Sequence, residues 1–136
     1  MTLEIAEHIL DQMADAVIYV DHVGTIARWN HASAALFGYE PAEALGQSLD
    51  LIIPEHLRAQ HWRGFEAATT SGQLKLQGRP TLTRASHKTG RRLYVEMTFA
   101  LVKDDQGRTL GSVAVARDAT ERMEERRAAA RSAKAE

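Results

Sequence analysis

The sequence predicts an α+β fold, a single antiparallel sheet with helices packed on one face. Three observations carry that prediction. A β-branched and aromatic run, Ala16–Val20, is followed by a glycine-containing turn and a second such run, Thr25–Trp29, which together read as a hairpin. The middle of the chain, 31–72, is punctuated by helix starts and stops. The last third alternates apolar and polar residues over Arg92–Val102, with hairpin turns on either side of that run.

The bulk numbers agree with one domain of ordinary kind. The chain has 136 residues, 44% hydrophobic and 26% charged, enough for one compact core and not two. A formal net charge of −1 gives no electrostatic reason to expect nucleic acid or an anionic membrane as partner. The chain has no cysteine, which excludes disulfides, thiolate metal sites, cysteine nucleophiles and cysteinyl-flavin photochemistry. No basic segment and apolar block open the chain, so no signal peptide is expected. No run approaches ~18 apolar residues, so no membrane span is expected either. The expected location is cytoplasmic.

The elements follow in order. Leu3–Met13 places Ile5, Ile9, Leu10 and Met13 at helical spacing, a stripe that needs cover. After the first hairpin, Asn30 is a good N-cap for a helix over His31–Phe37, and Gly38 ends it. Pro41–Gly46 is a shorter helix with proline at its start and glycine at its end. Pro54–Gly72 reads as one long helix, with Leu57, His61, Gly64, Phe65 and Ala68 on one face. Trp62 is expected on the outer side, in surface packing or a dimer contact. Lys75–Ser86 is extended, and Gly78 and Pro80 argue for an edge position or a bulge. In the next strand Leu93, Val95, Met97, Phe99 and Leu101 point one way, and Tyr94, Glu96, Thr98 and Ala100 the other. Leu110–Ala116 is the last strand. Asp118–Glu121 caps a solvated helix that runs through Arg122 to Lys134.

Little in this sequence suggests catalysis. Asp104 and Asp105 are adjacent on a hairpin tip and cannot flank a substrate. The serines lack a nucleophile elbow, and no histidines show zinc spacing. No enzyme is expected. His61 is the exception among otherwise ordinary residues. An imidazole on a helix facing a sheet is either satisfied, most simply by a backbone carbonyl, or given a ligand.

Taken together, the motifs resemble the PAS domain family over residues 10–121. They are Ala16–Asp21, Ile26–Asn30 with Ala34, Phe37–Tyr39, Leu45-Gly46, Ile53-Pro54, His87–Gly90, Gly111 and Arg117–Arg122. The resemblance implies a PAS fold, a five-stranded antiparallel sheet with helices packed on one face, plus flanking N- and C-terminal helices. It divides the chain into a flanking helix at 1–13, the PAS domain at 14–119 and a C-terminal helical tail, the signal-output linker, at 120–136. It implies sensing or dimerisation as the task.

One subgroup of that family consists of heme-binding oxygen sensors, and the likeness extends to it. Their proximal ligand is a histidine on the long helix, about eleven residues before a Thr/Ser-Gly stop; His61 stands in that relation to Gly72. The implied cofactor is heme b with His61 on the iron. Two positions depart from the subgroup: its distal arginine falls at Thr81 and its alternative methionine at Arg79. Arg79 or Arg84 is left to reach a distal ligand or a propionate. The distal wall falls to Leu82 or to Met97, Phe99, Leu101 and Val113. The implied partner is a second copy, paired through Ile5, Ile9 and Met13, with an effector protein in trans. The alternative reading is a cofactor-free PAS domain acting in dimerisation or protein interaction.

Overall fold

The computed structural model of the chain describes residues 2–75 and 78–135. Helix α1 (Thr2–Gln12) leads into the hairpin β1 (Ala16–Asp21) and β2 (Ile26–Trp29). Helices α2 (His31–Phe37) and α3 (Pro41–Ala44) follow, then two 3-10 turns, Leu49–Ile52 and Glu55–Leu57, and helix α4 (Arg58–Ser71). The chain closes with β3 (Thr81–Ser86), β4 (Arg92–Lys103), β5 (Thr109–Asp118) and helix α5 (Thr120–Ala135). The strands form one five-stranded antiparallel sheet in the order β2-β1-β5-β4-β3. Among the described residues no helix is long and apolar enough to cross a membrane.

Register decides which side chains meet the helices. Ile18 faces Ala114, Ala114 faces Phe99, Ala116 faces Met97, and Thr81 faces Met97, so these share the inner side. Trp29, Phe37 and Ile52 close over that side, and Phe37 is fully buried. The cover is uneven along β4. Leu93 and Val95 are 0% exposed and Met97 8%, while Phe99 and Leu101, nearer the β4–β5 turn, are only half-buried.

Local chemistry explains most boundaries. Asn30 caps α2 by accepting from Ser33 N–H, and Gly38 at φ 86° ends it. The same amide is also a hub. Its Oδ1 accepts from Val17 N–H and Ser33 Oγ as well, at 2.9 and 2.8 Å. Its Nδ2 donates to the carbonyls of Leu10 and Asp15, at 2.8 and 3.1 Å. One buried residue thus joins α1, β1 and α2. Gly111 in β5 is required for a different reason: a Cβ there would stand 2.1 Å from the Val20 carbonyl oxygen.

Several boundaries differ from the sequence reading. Pro54–Gly72 is not one helix. A 3-10 turn comes first, and α geometry begins at Arg58, whose Nε and Nη2 donate back to the carbonyls of Ile53 and Asp50. The extended stretch from Lys75 becomes a strand only at Thr81, after Pro80, whose missing N–H suits the edge position that β3 occupies; residues 76 and 77 of that stretch lie outside the described residues. Asp118 does cap α5, accepting from Thr120 N–H at 2.9 Å. The neighbouring arginines pair elsewhere, Arg117 with Asp15 and Arg122 with Glu96. Helix α1 turns Leu10 toward Val17 and Trp29 and leaves Ile5 and Ile9 about 60% and 58% exposed, with Met13 at 36%.

Candidate functional site

The site lies between α4 and the thinly covered end of the sheet's inner face. Backbone approaches between α4 and the strands are sparse, and Ala68 is the one buried residue of α4. The helix is anchored near its two ends instead. At the N-terminal side Trp62 lies over Gly24 in the β1–β2 turn and donates Nε1–H to Asp50 Oδ1 at 2.7 Å. At the far end Lys103 Nζ donates to the Gly72 carbonyl at 2.8 Å. Gly24 is at φ 87°, and a Cβ there would meet the Trp62 ring at 2.3 Å, so the turn can accept the indole only as glycine. Trp62 is partly buried, in surface packing against the hairpin turn, where Gly24, distant in sequence, provides a flat seat.

His61 sits beside this anchor. Its ring is 4.6 Å from that of Trp62, edge to face, and 6.3 Å from that of Phe65, stacked. Nδ1 is buried and has no hydrogen-bond partner among the described residues. The carbonyl bond that would make His61 an ordinary core histidine is not formed at that atom. Burial pushes the imidazole pKa below its ordinary value, and the carboxylate of Asp50 opposes this in part. The net direction leaves the ring neutral at pH 7, the form that ligates metals.

The other predicted residues divide between the two faces. Thr81, Met97, Phe99 and Leu101 share the inner face toward the helices. Leu82 and Val113 do not: Leu82 faces Glu96, and Val113 faces Tyr19 and Ala100, all on the opposite side. As distal-wall residues they are corrected, since one step along a strand reverses the side chain. Arg84 is corrected on the same ground, because it faces Tyr94. Arg79 is exposed, two residues before β3. Asp50, Gly24 and Phe65 complete the site. Asp50 and Gly24 carry no local sequence signal for it, since one lies in a 3-10 turn and the other in a hairpin connection.

Chemically, the site offers one neutral imidazole flanked by two aromatic rings. Among the described residues no group of three His, Cys, Asp or Glu could hold a bare metal ion. A lone nitrogen donor beside the Trp62 and Phe65 rings suits a metal that brings its own equatorial ligands in an apolar ring. By that criterion the residues fit heme in kind, with the unpartnered imidazole as the observation that counts. A separate open concavity of about 550 Å³ lies between Met13, Leu36, Ala116 and Arg117, and His61 does not line it.

Comparison with known proteins gives the following. The family model described as PAS fold matches residues 10–124. A protein of Azorhizobium caulinodans is 34% identical over 120 residues, covering 88% of this chain and 16% of the relative. The oxygen sensor protein DosP of Escherichia coli is 25% identical over 114 residues, covering 84% of this chain and 14% of that protein. The chain thus spans about a sixth or less of the length of these curated relatives. Among solved structures, the PAS domain of a protein from Colwellia psychrerythraea superposes with a TM-score of 0.76 at 21% identity, covering 89% of this chain and 99% of that one.

Proposed function

This chain belongs to the PAS fold family, and from that premise we propose that it is a sensory module that takes heme against His61. The observation that carries the proposal is the buried, unpartnered Nδ1 of a neutral imidazole on α4. The likeness to an oxygen sensor protein supports it. Bound heme would supply a gas- or redox-responsive iron. The chain's own residues supply the rest. His61 offers the axial nitrogen, Trp62 and Phe65 restrict its ring, and Met97, Phe99 and Leu101 exclude water. Asp50 anchors the indole beside the ligating imidazole. The module performs no catalysis itself and acts on a cytoplasmic effector. A ligand shifts such a module only by favouring one of two arrangements, and the elements available to rearrange are the flanking helices α1 and α5.

The purified chain is expected to take up hemin with a Soret band that His61→Ala abolishes or strongly shifts. A chain that stays colourless after hemin addition refutes the reading.

A second reading has its own observation. Ile5 and Ile9 are exposed on α1 and continue into Met13, which supports pairing of two copies through this helix, with or without a cofactor. A monomer at micromolar concentration by light scattering sinks that reading and leaves the heme proposal standing.

A further inference from the structure

On the opposite face of the sheet Arg84 has no carboxylate partner among the described residues. Arg84 lies on the edge strand β3, directly across from Tyr94 on β4. Its side chain is half-buried, and Nε is shut off from solvent with no hydrogen-bond partner. A guanidinium N–H left in that state is costly unless an acceptor arrives. Glu96, two residues along β4, does not serve, because Arg122 holds it at 3.2 Å. A second guanidinium reaches Tyr94 from α5. Arg127 places Cζ 5.7 Å from the ring centroid and donates Nη1–H to the Tyr94 hydroxyl. Among the described residues no carboxylate pairs with Arg84 or Arg127, although Asp and Glu residues outnumber Lys and Arg in the chain by 18 to 17.

We propose that Arg84 and Arg127, gathered around Tyr94, form a binding site for a phosphate-type oxyanion. Two planar guanidinium forks offer donors in the pairs that a tetrahedral dianion accepts, once Arg84 turns to bring its Nε–H, closed to solvent in the free protein, out to the anion. Chloride has the charge but not the paired acceptors. Arg84 belongs to the sheet and Arg127 to α5, so an oxyanion held by both ties the C-terminal helix to the sheet. This site is independent of His61 and of any heme.

The test is titration of the purified chain with inorganic phosphate at constant ionic strength, followed by backbone amide resonances. Saturable shifts are expected around Arg84, Tyr94 and Arg127, with slower amide exchange in α5 at saturation. Arg84→Gln should weaken binding about tenfold or more, the factor set by one charge-assisted hydrogen bond. Arg127→Gln, on an exposed helix, replaces it if the first variant does not fold. A phosphoserine peptide forms a second arm. Binding tenfold tighter than inorganic phosphate assigns the site to a phosphorylated partner, and equal or weaker binding assigns it to the free ion. Shifts that sodium chloride reproduces, or that persist in both variants, overturn the site.

Discussion

Replacing Asn30 by alanine should cost about 3–5 kcal/mol, well beyond the ~1 kcal/mol typical of losing an N-cap. The side chain is 5% exposed and makes five hydrogen bonds, three through Oδ1 and two through Nδ2. Truncation strands two buried donors, Val17 N–H and Ser33 N–H, at roughly 1–3 kcal/mol each. The Leu10 and Asp15 carbonyls are closer to solvent and add less. Against a total stability of about 5–15 kcal/mol this is a large fraction. Urea unfolding followed by far-ultraviolet circular dichroism measures it. Amides of α1 should also lose protection first, because Nδ2 holds the end of that helix. Asn30→Asp is a sharper check. It keeps the acceptors, loses both donors and buries a carboxylate facing two carbonyl oxygens. It should be less stable than the parent at neutral pH, even though Val17 N–H, Ser33 N–H and Ser33 Oγ–H can still bond the carboxylate. A loss under 1 kcal/mol in Asn30→Ala, with α1 protection unchanged, refutes the hub.

Other expectations are as direct. Gly24→Ala forces a left-handed alanine and displaces Trp62, so a loss of about 2–4 kcal/mol and red-shifted tryptophan emission are expected; unchanged emission would show that the indole does not rest there. His61 has a folded-state pKa below its ordinary value of 6.5, so the unfolded chain binds a proton that the folded chain refuses. Its contribution is complete above about pH 6.5 and is lost as pH falls below that. In hemin-free protein His61→Gln should flatten that part of the stability profile, and an unaltered profile would place the ring in solvent. Arg117→Ala should loosen the junction between Asp15 and β5 by no more than about 1 kcal/mol, as for other solvent-exposed ion pairs, measurable by thermal unfolding.

The sheet was legible in the sequence wherever the signal was local. Alternation from Leu93 to Leu101 has the predicted faces, and the Asn30 cap and Gly38 stop stand where the residues place them. The PAS resemblance supplied the strand count, which the family match and the Colwellia structure bear out. What stayed hidden was pairing at a distance. Leu82 and Val113 are apolar on half-exposed strands, and only their partners, Glu96 and Tyr19, reveal which way they turn. Trp62 has no local signal for what it packs on; its seat is a glycine 38 positions earlier. Asn30 announces a cap but not the bonds to Val17, Leu10 and Asp15, since those three need the ends of α1 and β1 brought together by the fold. His61 was recognised from its position in the helix, while its unpartnered nitrogen is a property of the folded surroundings.

The strand order puts the first strand of the chain against the last, with Ala16 opposite Ala116 at the middle of the sheet. Polypeptide therefore enters and leaves the fold side by side, and Arg117 bridges the two crossings through Asp15. Spliced into a longer protein, such a unit would behave as a cassette. It would add almost no reach between the segments on either side of it, and a twist on one would be handed to the other across a single row of backbone hydrogen bonds.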